Sequence, residues 1–457
     1  MLLLRAVSLS TFVMFCMGPQ SALAADGPTA DEQANNSSLQ QSIQLREQID
    51  QLNSRLADLE SEFGPFDFRL LEPLQDLTAI QLEIGNFEQA GSILERRLQL
   101  IRTIEGPVSL QQLPVVRELI SNDIRLSDWE SVSDRFEFIQ SLYGQDMELD
   151  PETALQVRND VALWNLANVY LLEPLRRIRA FRQAREVIRE NTSFAEDHYG
   201  EDSMQLIDWL YQSAVLQYQL IAVLLADDEL GVYARDDILL AEGRSAESYQ
   251  REALNLVKRI RDIAAASGDL EAEAMAMTYE ADFQMLLDLG TAARLYRQAM
   301  DKFVEAGLDE DRVAAFFQRP MALPVAKFYS RLEDAVRVQD EAGFAVLPTG
   351  DAEPPAMHLG TFVAWSESLP ILARPDLPDA AAELDSQLEF YEISMEFTLN
   401  SRGTTRNPDI KDSTTDFARV RRDARQALRD IQFRPFFEEG RWRRTGELSI
   451  RYLILPN

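Results

Sequence analysis

The sequence predicts a mainly α-helical protein, an α-solenoid of helix pairs followed by a small α+β domain. Between Leu74 and Leu98, apolar residues recur at helical spacing on both sides of a Gly-Asn turn, which predicts a helical hairpin. Gly and Pro residues then interrupt helical segments as far as Gly343, and this spacing fits stacked helices better than a bundle. From Tyr391 onward the apolar period becomes alternating, which predicts strands.

Residues 1–24 have the features of a secretory signal peptide. A basic residue precedes an apolar run from Ala6 to Gly18, and the small residues Ala22 and Ala24 precede a polar stretch. The run is too short to span a bilayer comfortably, so we expect cleavage before Ala25 and export to the periplasm. The single cysteine, Cys16, lies within this signal. The mature chain is therefore expected to have no disulfides and no membrane span.

Residues 25–65 are predicted to form a polar leader and a short heptad helix. From Leu45 to Phe63, apolar residues alternate spacings of four and three, which is the pattern of a coiled-coil seam. The seam is short, so two interpretations stay open: a coiled-coil dimer, or a single helix packed on the first repeat. Gly64-Pro65 is expected to end the helix.

Residues 66–343 are predicted to form the helical repeat domain. Neither helix of the pair from Leu74 to Leu98 could bury its apolar stripe alone, so similar units are expected to stack beside it. Related patterns recur from Leu163 to Tyr170 and from Ala292 to Ala299. These segments resemble the tetratricopeptide repeat family in a degenerate form, with Arg97 standing where the family prefers a small residue. The resemblance implies a concave face that binds peptides or protein surfaces.

Two segments complete the chain. Residues 344–390 are rich in proline and are predicted to be a linker. Residues 391–457 are predicted to form a small α+β domain in the order strand, strand, helix, strand. Its first strand alternates apolar and polar residues from Tyr391 to Asn400, and an Arg-rich helix has one apolar face between Phe417 and Ile431. The last strand is predicted from Leu448 to Ile454.

This order and several motifs resemble the TonB carboxy-terminal domain family. The matching residues are Phe397 to Gly403, Phe417 and Ala424 to Leu428, Phe433-Arg434-Pro435 with Gly440 after it, and Arg451-Tyr452. In that family the domain adds a partner's extended peptide to an edge of its sheet. The resemblance therefore implies Arg434, Arg451 and Tyr452 as candidate partner-binding residues. The family's inner-membrane anchor and long Pro-rich spacer are missing. This difference argues against a role in energy transduction more than it argues against the fold.

The charge distribution separates the tail from the rest of the chain. The formal charge of −31 argues against a nucleic-acid partner and against adsorption on anionic lipid. From Ser401 onward, 13 Lys/Arg stand against 8 Asp/Glu, a local excess of about +5 that leaves about −36 on the rest. The excess of basic residues in the tail belongs either to a solvated helix face or to a partner-binding patch. The basic tail could also dock on the acidic helical repeats of the same chain.

The sequence contains little material for catalysis. His198 and His358 are the only histidines and stand in unrelated contexts, and the common zinc, nucleophile and phosphate-binding motifs are missing. We therefore predict no cofactor, no metal and no enzymatic activity. Acidic pairs such as Asp227-Asp228 leave a carbohydrate-active enzyme of the envelope as a minor alternative.

Together these features predict a periplasmic, non-enzymatic adaptor. Its helical repeats would bind one protein partner of the envelope, and its TonB-like domain would bind another. The alternative is a TonB-type energy transducer that keeps its amino-terminal segment as an anchor and couples to outer-membrane transport.

Overall fold

The computed structural model describes most of the chain, with gaps. The described residues are 30–126, 128–143, 150–171, 174–225, 239, 243, 245–325, 327–341, 356–358, 391–438 and 441–454. The predicted signal peptide, most of the predicted linker and Gly440 lie outside them, so these predictions are not addressed by the structure.

The described part of the chain is mainly helical, with a small sheet region towards its carboxy-terminal end. The helices are α1 (Ala30–Phe63), α2 (Leu71–Glu83), α3 (Phe87–Glu105), α4 (Leu113–Arg125), α5 (Trp129–Tyr143), α6 (Pro151–Leu171), α7 (Pro174–Tyr199), α8 (Ile207–Leu225), α9 (Ala246–Ala266), α10 (Leu270–Leu286), α11 (Ala292–Glu305), α12 (Glu310–Phe317), α13 (Leu332–Glu341) and α14 (Ala418–Asp430). None of these helices combines the length and the apolar character that a membrane span needs.

The strands form three small sheets within the described residues. They are β1 (Ala322–Leu323), β2 (Ala356–His358), β3 (Tyr391–Leu399), β4 (Thr405–Ser413), β5 (Gln432–Phe433), β6 (Phe437–Glu438), β7 (Arg441–Trp442) and β8 (Leu448–Ile454). The four-stranded sheet has the order β2-β8-β3-β4, and the pairs β1-β5 and β6-β7 form two further sheets.

The chain divides into two compact units, Met1–Ile84 and Gly85–Asn457. In the first unit α1 contacts α2, Leu56 is buried on α1, and the Arg55 guanidinium lies 2.9 Å from the Glu72 carboxylate. The helix α1 begins at Ala30, so it includes part of the predicted polar leader. The boundary between the units falls inside the predicted hairpin, whose two helices therefore belong to different units.

In the second unit each helix from α3 to α13 contacts the next one along the chain. Arg97 is buried on α3, and its guanidinium reaches Glu118 on α4 at 2.6 Å. This ion pair explains how a long basic side chain is tolerated at a position where the repeat family prefers a small one. The helix α10 has no exposed face between Ala274 and Gln284, because every side chain in that stretch is buried, as expected of a helix surrounded by others.

The carboxy-terminal domain has the predicted order of strand, strand, helix and strand, with short additional strands. Every second side chain of β3 is buried, from Ile393 to Leu399, as the alternation predicts. At the turn after β3, Gly403 has a φ of 74°, and its carbonyl accepts a hydrogen bond from Phe433 N at 2.9 Å. A Cβ at Gly403 would lie 1.9 Å from the Phe433 carbonyl oxygen, so this approach requires glycine.

The helices α3 to α13, together called the helical array, and the segments between them contribute directly to this domain. The strand β1, which follows α12, pairs antiparallel with β5, with Ala322 opposite Phe433. Ala322 also joins the buried core formed by residues such as Phe397 and Leu428. The helices from α3 onward and the carboxy-terminal domain thus share one compact unit.

Candidate partner-binding site

The predicted site residue Arg434 lies inside the molecule. The segment from Phe433 to Phe436 is buried, and Arg434 N donates a hydrogen bond to the Met321 carbonyl at 2.7 Å. Its side chain, 2% exposed, forms a bidentate ion pair with Asp282 of α10, which is 1% exposed. The Nε to Oδ1 distance is 2.9 Å and the Nη2 to Oδ2 distance is 2.6 Å. Arg434 therefore joins the carboxy-terminal domain to the helical array.

The Asp282 carboxylate has a further hydrogen-bond donor. The Tyr296 hydroxyl of α11 donates to Asp282 Oδ1 at 2.6 Å, so the carboxylate accepts three hydrogen bonds, two of them from the guanidinium. Burial disfavours the charged form of Arg434, yet the neighbouring Asp282 carboxylate keeps the pKa of the guanidinium above its ordinary value. Arg434 therefore stays protonated, and its attraction to the Asp282 carboxylate offsets the desolvation of the guanidinium.

Aromatic residues enclose this ion pair. The Arg434 guanidinium lies 4.9 Å from the Phe316 ring centroid, within the range of a cation–π contact. The Tyr211 hydroxyl donates to the Val325 carbonyl at 2.8 Å, and the Tyr279 hydroxyl donates to the Lys327 carbonyl at 3.2 Å. Burial raises the pKa of Tyr211, Tyr279 and Tyr296, and the nearby Arg434 charge offsets part of this increase. The Tyr211 and Tyr279 hydroxyls hold the segment after β1 against α8 and α10, whereas the Tyr296 hydroxyl donates to Asp282.

The other two predicted site residues lie in β8. In the ladder with β3, Arg451 is opposite Ser394 and Tyr452 is opposite Ile393. On its other side β8 pairs in parallel with β2, where Ala356 is opposite Arg451 and Met357 is opposite Tyr452. For Arg451 and Tyr452 the structure describes the backbone and not the side chains. The structure thus brings Arg451 and Tyr452 together in one strand and places Arg434 in a different environment.

The two edges of the four-stranded sheet differ in their suitability for pairing. On β4, Pro408 has no N–H, Asn407 has a φ of 52°, and the ladder with β3 shifts register there. Charged residues such as Arg406 and Asp409 are exposed on the same strand. Proline, bulges and charges are features that protect an edge against strand addition. The opposite edge is formed by the three-residue strand β2, which pairs with β8.

Sequence reasoning missed Asp282 and Tyr296. Asp282 lies in the apolar run around Met277 and Phe283, and an acidic residue on a buried helix predicts a basic or hydrogen-bonding partner. Its partner, however, is 152 residues away along the chain. Sequence could therefore have flagged Asp282 but not paired it with Arg434.

A groove lies between three of the helices. A groove of about 410 Å³ is lined by residues of α9, α10 and α11, including Arg261, Met277, Leu295, Asp301 and Lys302. Its charges are partly compensated, since the Lys302 ammonium lies 3.0 Å from Glu305. In the portion of the chain with described coordinates, no group of three or more His, Cys, Asp or Glu side chains could hold a metal ion.

Comparisons with known proteins add little. No protein-family profile matches the chain, and no curated protein does. Among solved structures, the crystal structure of BtubC (BKLC) from P. vanneervenii is similar over 57% of this chain and 92% of that chain, with 12% sequence identity and a TM-score of 0.32. A likeness at this TM-score carries no argument about fold or function.

Proposed function

We propose that the protein is a periplasmic, non-enzymatic scaffold that holds protein partners of the envelope. In this proposal the helices form a tetratricopeptide-like solenoid, and the carboxy-terminal domain is a TonB-like module fastened to its end. The succession of contacts from α3 to α13 supports a stacked array. The Arg434–Asp282 ion pair supports a fixed orientation of the module on that array.

The observation that carries the proposal is the pairing of β8. Within the described residues, one side of β8 pairs with the nine-residue β3, and the other side pairs with the three residues of β2. A short parallel strand contributes few ladder hydrogen bonds, so a partner's extended peptide with a longer match would compete well for this edge. The proposed binding edge includes the backbone of Arg451 and Tyr452. Arg434 would contact a partner only if its pair with Asp282 opened.

The first experiment is an in-cell crosslink and pull-down of the mature chain in two versions. One carries Ala356→Pro with Met357→Pro, which removes two backbone N–H groups from β2. The matched control carries Met357→Ala, which keeps them. We expect the proline variant to capture more partner than the control, because the β8 edge is freed. Equal capture by the two variants would remove the β8 edge from the proposal.

Export and anchoring are tested by amino-terminal sequencing of the protein from the envelope fraction. A chain that begins at Ala25 supports the soluble periplasmic scaffold. A chain that keeps Met1, together with an outer-membrane receptor among the captured partners, would favour the energy transducer instead.

A further inference from the structure

The solvent face of α14 carries a row of three arginines and one glutamine. Arg419, Arg422, Gln426 and Arg429 are exposed and follow one another at spacings of three, four and three, so they lie along one side of the helix. The opposite side buries Ala424 and residues near it against the sheet. We name the four exposed residues the Arg stripe. Packing therefore fixes the direction in which the stripe faces.

An exposed aromatic residue stands at the start of the stripe. Phe417, the residue before α14, is 62% exposed, and its ring centroid lies 6.0 Å from that of Tyr391. Burial of Phe417 in a protein–protein contact would remove considerable apolar surface from water. Arginine and aromatic residues are the types most enriched in the energetic centres of protein interfaces. The combination favours a binding surface over a merely solvated helix face.

Charge identifies the class of occupant. The helix α14 contains five Arg and two Asp, whereas the whole chain has a formal charge of −31. A membrane or nucleic acid presents negative charge over a wide area and would be repelled by the acidic remainder of the chain. A short acidic segment contacts only the stripe, and charges beyond a Debye length of about 10 Å are screened.

We propose that the Arg stripe and Phe417 bind an acidic, partly apolar segment of a partner protein. Carboxylates would accept hydrogen bonds from the guanidinium groups, beside or in place of the contacts that Arg419 and Arg422 already make within the chain. An apolar side chain would cover Phe417. The inference rests on the proposed function in one respect, because it takes from it that the binding partner is a protein. It concerns α14, whereas the proposed function concerns the edge of β8, so each can fail without the other.

The test uses the mature chain and fluorescein-labelled peptides of twelve residues. The probe alternates Glu with Leu, and the control peptide replaces each Glu by Gln. Fluorescence anisotropy is measured in about 50 mM and 300 mM NaCl. We expect binding of the Glu probe only, weakened at the higher salt because the interaction is between exposed charges.

Two charge-reversal variants locate the site. Arg419→Glu with Arg422→Glu changes the stripe, and Arg443→Glu with Arg444→Glu makes the same change in net charge on exposed residues of the same domain. We expect the first to weaken binding about tenfold or more and the second to change it little. Phe417→Ala is expected to weaken binding about threefold or more with no change in charge. Circular dichroism checks that each variant is folded.

Several outcomes would overturn the inference. Equal losses in the two charge-reversal variants would mean that net charge and not the stripe attracts the probe. No binding of the Glu probe in 50 mM NaCl would remove the site. Binding to phosphatidylglycerol vesicles but not to the peptide would assign the stripe to a membrane. A dimer that the stripe variant abolishes would assign it to a second copy of this chain.

Discussion

The Arg434 guanidinium and the Asp282 carboxylate lie side by side in a bidentate pair, with nitrogen-to-oxygen distances of 2.9 Å and 2.6 Å. One residue belongs to the carboxy-terminal domain and the other to the middle of a buried helix. Because both are shielded from water, neither can lose its partner without leaving an uncompensated charge. The pair therefore makes the orientation of the domain on the array specific.

Asp282→Asn is expected to lower the free energy of unfolding by about 3–5 kcal/mol, because the buried Arg434 charge loses its counter-ion. Urea unfolding followed by circular dichroism measures the change. The control is Asp262→Asn, since Asp262 is 69% exposed and 3.0 Å from Arg261; the cost there is expected to stay below about 1 kcal/mol. Similar costs for the two variants would show that the Arg434–Asp282 pair is not structurally important.

Tyr296→Phe removes the hydroxyl that donates to Asp282 Oδ1 while keeping the ring that lies 5.4 Å from Trp442. The carboxylate keeps its two bonds from Arg434, so the expected loss is smaller than for Asp282→Asn, about 1–2 kcal/mol. The same urea titration measures it. In the Asp282→Asn background the Tyr296 substitution should cost less, since the two residues act on one network. Full additivity of the two costs would contradict that network.

Alkaline pH is expected to destabilise the protein through its buried tyrosines. Burial raises the pKa of Tyr211, Tyr279 and Tyr296 above the ordinary value of 10.0. Above pH 10 these hydroxyls ionise in the unfolded chain but keep their protons in the folded one, so the folded state binds more protons. The free energy of unfolding is therefore expected to fall by about 1.4 kcal/mol per pH unit for each tyrosine.

This stabilisation is fully present below pH 10 and is lost as the pH rises through the folded-state pKa values. Urea unfolding of the wild type and of Tyr279→Phe at pH 9 and pH 11 measures the effect. The variant should show a shallower decline, since one of the tyrosines with a raised pKa no longer titrates. An identical decline in both proteins would contradict the assignment to Tyr279.

Gly403→Ala is expected to destabilise the carboxy-terminal domain by at least about 2 kcal/mol. The added Cβ would meet the Phe433 carbonyl at 1.9 Å, and the φ of 74° is unfavourable for alanine. Thermal unfolding measures the loss. Gly446→Ala is the matched control, because no atom lies within 4 Å of the Cβ that it would add. A small effect at Gly403 would mean that the turn does not approach β5 closely.

The strands and helix of the carboxy-terminal domain were predictable from local sequence. The alternation in β3 follows directly from burial of one face, and the apolar positions of α14 follow from packing on the sheet. The two-stranded pairing of β1 with β5 was not predictable. Its members are two residues each, too short for any period to show, and they are far apart in the chain.

The predicted helical hairpin from Leu74 to Leu98 was likewise predictable only in part. Its helices and the turn between them were predicted, and the structure contains α2 and α3 there. The assignment of α2 and α3 to different compact units was not predicted. Apolar periodicity indicates that a face will be buried but does not indicate which neighbour will cover it.

By itself, the sequence determined the helical character of most of the described chain, the change to strands from Tyr391 onward, the acidic character of the chain and its basic tail. Only the tertiary structure decided that Arg434 faces Asp282, that Ala322 joins the core of the carboxy-terminal domain, and that β2 covers β8. The physical reason is that periodicity and capping act over a few residues, whereas these contacts depend on how distant segments pack and on which buried charge compensates which.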